Sequence, residues 1–175
     1  MSYTIEQFGA DCHRILSRNA TPEGLEEIRR KLEKLMVDPA FIASTYSEDM
    51  PPGKRVLYHD PETDVYVLAH VLKAGKKSGR PHSHGISWAI YGMVSGVLDM
   101  TEWQRVNSPD EDHAELEAVA RYPLKPGEAR TYEPRMIHST GHPDGGWAIR
   151  VTGTNFDDLP RFYFDPRRDR ILTKT

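Results

Sequence analysis

The sequence predicts a mainly β protein, a barrel or sandwich of short strands, preceded by a layer of two or three helices. Three observations carry that reading. Apolar residues recur at helical spacing only up to about residue 46. Beyond the consecutive prolines Pro51 and Pro52, the chain turns into short runs rich in β-branched and aromatic residues, separated by Gly/Pro turns. No helical segment alternates with those runs, which argues against a parallel α/β sheet.

The helices come first. Ile5, Phe8, Cys12, Ile15 and Leu16 fall on one stripe of a helix over residues 4–18. Thr21-Pro22 supplies an N-cap and a proline at the first helical position, and Leu25, Ile28, Leu32, Leu35 and Met36 continue with the same period. Asp38-Pro39 repeats the signal for a short third helix ending near Tyr46. The strands are then expected in VLYHD, DVYVLAHVL, ISWAIYGMV, GVLDMTEWQRV, HAELEAVARY, EARTY, RMIHST, GWAIRVTG and RFYFD. The whole reads as a single domain over residues 1–175: helical layer 1–46, barrel 54–165 and tail 166–175.

Composition narrows the class of function. Apolar residues make up 38% of the chain and charged residues 28%, with a formal net charge of -3 and interspersed signs. That balance suits a soluble globular protein and offers no basic face for nucleic acid. No stretch has the length of a membrane span, and the N-terminal residues lack the pattern of a signal peptide, so a cytoplasmic location with no membrane partner is the expectation. Cys12, the single cysteine, can form neither an internal disulfide nor a thiolate cage, and its place in the helical stripe marks it as a buried spacer. There is no G-x-S-x-G elbow, P-loop or Rossmann fingerprint.

Chemistry gathers on the histidines. In an extended segment side chains alternate, so His82 and His84 point to the same side and both can reach one cation. His138, in the later strand RMIHST, is the third candidate, because antiparallel pairing can bring that strand alongside. Neutral nitrogen donors suit a divalent first-row metal, and three of them leave positions open for substrate. The competing reading of HxH is a turn pair with ordinary hydrogen bonds. His142 is expected at the rim of such a site, and His70 in the core or behind a ligand. His13, His59 and His113 are not assigned to metal.

PHSHGISWAIYGMVSG and LKPGEARTYEPRMIHSTGH resemble the two motifs of the cupins, a superfamily of double-stranded β-helix barrels. More narrowly, HxHGxxWAxxGxxxG resembles the thiol dioxygenases, the group that includes cysteine dioxygenase and bacterial 3-mercaptopropionate dioxygenase. The resemblance spans about Ile5 to Asp165, with its specific part confined to the histidine motifs. It implies a ferrous ion, Fe(2+), on His82, His84 and His138, with a small acidic thiol and dioxygen as reactants and a sulfinate as product. The glutamate ligand common in cupins is absent, since Ser87, Trp88 and Ala89 stand in its place. Homodimerisation is a further expectation of the resemblance.

The chain also departs from that group. The group's Ser-His-Tyr set falls on Ala148, Arg150 and Thr152. Its carboxylate-binding arginine falls near His59, and the crosslinking cysteine of the mammalian enzyme falls on Ala89. An iron site is thus expected to be kept while the substrate pocket is rebuilt. If Arg150 faces inward it needs an anion, either an acidic substrate or a structural partner such as Glu102 or Asp99. Tyr132 and His142 are candidate donors near the metal mouth. Trp88, Tyr91, Met93 and Met100 are candidate core or pocket walls, while Trp147, Ile149 and Val151 are expected on the opposite face, against the helices or a partner.

The leading expectation is therefore an iron-dependent dioxygenase oxidising a small acidic substrate, a thiol to its sulfinate. The alternatives are another metal-dependent cupin enzyme (a C–C cleaving dioxygenase, lyase or isomerase) and a non-enzymatic ligand-binding cupin.

Overall fold

The computed structural model describes residues 2–18, 21–111, 113–159, 161–165 and 170–174. Three helices open the chain: α1 (Ile5–Leu16), α2 (Pro22–Met36) and α3 (Pro39–Thr45). A capping box starts α1, with the Gln7 amide donating to Thr4 Oγ1 at 3.3 Å and the Thr4 amide to Gln7 Oε1 at 3.0 Å. Asp38 caps α3 through the amides of Ala40 and Phe41. Thr21 holds the N-cap position of α2, but its side chain does not cap; the hydroxyl donates to Glu23 instead.

Eleven described strands follow. The first five are β1 (Gly53–His59), β2 (Tyr66–Leu72), β3 (His82–Ser83), β4 (Ala89–Gly96) and β5 (Leu98–Arg105). The remainder are β6 (Leu116–Leu124), β7 (Ala129–Tyr132), β8 (Ile137–Gly141), β9 (Gly146–Thr152), β10 (Arg161–Asp165) and β11 (Arg170–Lys174). Residues 166–175, expected as a tail, thus include a strand, β11, paired antiparallel with β10.

The pairings are nested. β5 pairs with β6, β4 with β7, β3 with β8 and β2 with β9, all antiparallel. That is one long hairpin, its tip between β5 and β6, coiled so that successive pairs fall alternately in two sheets. The sheets have the orders β1-β2-β9-β4-β7 and β11-β10-β3-β8-β5-β6. The architecture is the double-stranded β-helix of the cupins with an N-terminal helical layer.

Side-chain alternation divides the first sheet into two faces. Val67, Ala69, Ile90, Ile149 and Val151 point outward and bury against Phe8, Cys12, Ile28, Leu32 and Met36 of the helices. Trp88 packs on this helix-side core and not on the barrel interior. Trp147 stacks on Tyr46 at 5.1 Å. The other face holds Met93 and Ala148, which close a second core with Leu98, Met100, Leu124 and Tyr132. Gly146 lets β9 reach β4: its φ is +133°, and a Cβ there would lie 2.2 Å from the Ser95 carbonyl oxygen. Among the described residues no helix is long and apolar enough to cross a membrane.

Candidate metal centre

β3 and β8 bring two of the three histidines together by register alone, since His82 and His138 are Cα partners. His84, two residues on, joins them. One ring nitrogen from each of His82, His84 and His138 lies within 4.8 Å of the other two. His138 is fully buried and His84 nearly so, while His82 is partly open. No carboxylate or thiol among the described residues joins this cluster.

The chemistry of the donor set fits a metal ion. His82 Nδ1 lies 3.0 Å from the Arg80 carbonyl oxygen and His138 Nδ1 3.3 Å from that of Met136. A backbone carbonyl only accepts, so each Nδ1 carries its proton and donates, leaving Nε2 with a lone pair. Burial, and then the neighbouring His82, push the His138 pKa down to about 3, so the ring is neutral at any ordinary pH. Neutral imidazoles converging with their lone pairs are what a divalent transition metal requires, and the pattern does not single out iron.

Tyr91, on β4, places its hydroxyl 3.0 Å from His84 Nε2 and 3.4 Å from His138 Nε2. Phe156, in the loop after β9, stacks on the His84 ring at 4.0 Å. The Arg150 guanidinium lies over the Phe156 ring at 5.1 Å. Phe156 therefore touches both a metal-ligand candidate and the cation on the cavity wall.

A cavity of about 370 Å³ opens beside the cluster, lined among others by His82, Tyr91, His70, Arg150, Lys76 and His142. Arg150 does face it, as expected if the Ala148–Thr152 stretch points inward. The alternative structural pairing of Arg150 is not formed. Glu102 binds Arg130 at 3.2 Å and the Tyr122 hydroxyl at 2.5 Å, and no carboxylate among the described residues pairs with Arg150. Arg150 Nε is buried with no hydrogen-bond partner, as is His70 Nε2. Burial, followed by Arg150 and Lys54, holds the His70 pKa down near 3.

The other expected residues fall as follows. His142 lines the cavity, but its ring donates from Nδ1 to the Lys73 carbonyl at 2.7 Å. Tyr132 meets His138 with its ring, at 4.3 Å, while its hydroxyl bonds that of Tyr122 at 2.7 Å and so turns away from the mouth where it was expected to donate. His13 pairs with Asp60, His59 stacks on Tyr66, and His113 lies beside Glu111 and Glu115. Cys12 is buried, and burial raises its thiol pKa to about 12, which leaves it inert.

Sequence reasoning missed Phe156 and Tyr163, whose ring stands 5.7 Å from His82 on the cavity wall. The signal for Phe156 was a lone aromatic within the turn-rich stretch TGTNFDD. Tyr163 lay in a recognised strand, RFYFD, whose pairing with β3 no periodicity discloses.

No family model matches the chain, and no curated protein does. Among solved structures it is similar to KdgF from Halomonas sp., at 20% identity over 67% of this chain and 95% of that one, with a TM-score of 0.45. It is also similar to an RmlC-like cupin from Shewanella frigidimarina NCIMB 400, at 15% identity over 63% and 86%, with a TM-score of 0.43. A cupin superfamily protein from Desulfitobacterium hafniense DCB-2 shows 10% identity over 66% and 86%, also at 0.43. These likenesses say nothing of substrate or reaction. Fold and site together define a double-stranded β-helix barrel carrying a three-histidine cluster that could hold a metal ion.

Proposed function

We propose that the protein is a metal-dependent cupin enzyme acting on a small acidic substrate, and that ferrous iron and dioxygen are its working partners. The observation that carries the reading is the convergence of three imidazoles without a carboxylate, one of which, His82, lines a cavity that Arg150 also lines. An all-neutral donor set leaves a bound dication its full charge, which favours an anionic thiolate or enolate beside it.

Iron bound there supplies the redox chemistry that lets dioxygen react with a closed-shell organic anion. The chain's own residues do the rest. Arg150 offers a planar fork to the remote acidic group, and Phe156 holds that guanidinium in place. Fixing the remote group sets the position of the reacting atom, which is worth much of the barrier. Tyr91 keeps a hydroxyl proton beside His84 Nε2, within reach of substrate atoms. Met93, Leu98 and Tyr132 form an apolar floor that keeps water from that side.

In its finest form the reaction is oxidation of a thiol acid, with both atoms of dioxygen passing to sulfur to give a sulfinate. A second reading is favoured by the cavity wall itself. Arg150 stands where the thiol dioxygenases carry histidine, so a carbon acid cleaved oxidatively, or turned over by a lyase or isomerase reaction, suits the same site. Oxygen uptake by the iron-loaded protein, with product analysis over small thiol acids, β-diketones and hydroxy acids, separates these. Uptake matched by sulfinate supports the thiol reading. Uptake with carbon acids alone, or turnover without oxygen, replaces it with the second. Binding without turnover of any acid makes the protein a ligand-binding cupin.

A further inference from the structure

The loop between β2 and β3, Lys73–Pro81, carries four cations (Lys73, Lys76, Lys77 and Arg80) and no acid. The surrounding stretch, residues 65–98, contains no Asp or Glu at all, although the chain has 26. The loop is bolted to the end of β8. The His142 amide donates to the Lys76 carbonyl and the Gly75 amide to the Pro143 carbonyl, both at 2.7 Å. A Cβ on Gly141 would lie 2.5 Å from the Lys77 carbonyl oxygen, so only glycine allows this approach, three residues beyond the metal-ligand candidate His138.

Several cations elsewhere have carboxylates. Arg29 binds Glu26 and Glu33, Lys54 binds Asp157, and Arg130 binds Glu102. Around the cavity they do not. Among the described residues Lys76, Arg80 and Arg150 form no ion pair, though all three line it. Lys76 Nζ donates to Thr140 Oγ1 at 3.0 Å, which aims the ammonium along β8, and burial lowers its pKa. Arg150, partly buried with its Nε unpartnered, is a cation that an anion would complete, while Lys76 and Arg80 stand exposed at the rim, where a second anionic group can reach them.

We propose that the cavity selects a small dianion, one acidic group taken by Arg150 in the wall and the other by Lys76 on the clamped loop. This rests on the reading of the site as one for an acidic substrate, and it names the class: a compact molecule with two anionic oxygen groups. A monoanion satisfies Arg150 and leaves Lys76 uncompensated. A dianion satisfies both, and its extra affinity is sensitive to salt at the open rim.

The test is calorimetric titration at low ionic strength, on metal-free and metal-loaded protein, with glutarate and butyrate as probes. Glutarate is expected to bind at least about tenfold tighter than butyrate, as a second charge-assisted contact provides. Lys76→Met, and independently Lys76→Gln, remove that preference, bringing glutarate affinity down to that of butyrate. Lys77→Met, the same charge loss on a neighbour that does not line the cavity, keeps it. Equal affinity for the two acids, a preference that survives Lys76→Met, or no binding of either acid overturns the proposal. Lys76-dependent glutarate binding without oxygen uptake on any acid sinks the oxygenase reading and leaves this one standing. Oxygen uptake on monocarboxylic acids with no dicarboxylate preference does the reverse.

Discussion

His82 and His138 stand directly opposite each other across the β3–β8 pair, their rings 4.6 Å apart between centroids. Register therefore builds the centre, and a slip of one residue would turn His138 to the other face of its sheet. β3 is only two residues long and depends on β8 and β10 flanking it to hold that register.

Removing one ligand candidate should abolish tight metal binding. His138→Ala is expected to weaken divalent-metal affinity by at least about 100-fold, since loss of an indirect support alone commonly costs 10–100-fold. Metal titration of the folded variant, with circular dichroism as the control, measures it.

Tyr91→Phe removes the hydroxyl shared by His84 and His138 but leaves the ring. The expected outcome is unchanged metal stoichiometry with an altered ligand-field spectrum of the cobalt-substituted protein. An unchanged spectrum shows that the hydroxyl has no influence on the ion.

Strand closure can be tested away from the chemistry. Gly146→Ala drives a Cβ into the Ser95 carbonyl at a positive φ, and about 2 kcal/mol of stability should be lost. Gly92→Ala meets the flexible end of Met36, which can shift, so roughly 1 kcal/mol is expected. Denaturant unfolding of both variants checks the order.

Acid should weaken the metal-free protein partly through His70. Its folded pKa sits near 3 against an ordinary 6.5. Between those values the unfolded chain takes up a proton that the folded protein refuses, so stability falls as pH drops, by up to about 1.4 kcal/mol per pH unit. His70→Leu should flatten the stability difference over that window. Parallel pH profiles for variant and parent would refute the assignment.

Much of this architecture was legible because local signals and tertiary needs agreed. Asp38-Pro39 starts α3 with its cap formed, and Ile149 and Val151 alternate outward against the helices as their spacing requires. The HxH pair showed its common side through strand alternation. What stayed hidden was set by pairing over long separations. Phe156 reaches His84 from a loop more than seventy positions away, and no periodicity marks it. The Lys73–Pro81 loop reads as an ordinary cationic turn until the clamp from His142 and Pro143 brings it over the cavity. Tyr132 lay in the right strand, but its hydroxyl direction is decided by Tyr122, ten residues earlier and across the barrel.

X-ray absorption at the iron edge of the ferrous-loaded protein tests the central claim most directly. The account predicts one ion per chain, held by three imidazole nitrogens at about 2.0–2.2 Å, with the remaining positions filled by exchangeable oxygen donors that glutarate or a thiol acid perturbs. Fewer than three imidazoles, or a shell closed by further protein donors and blind to added acids, would contradict it.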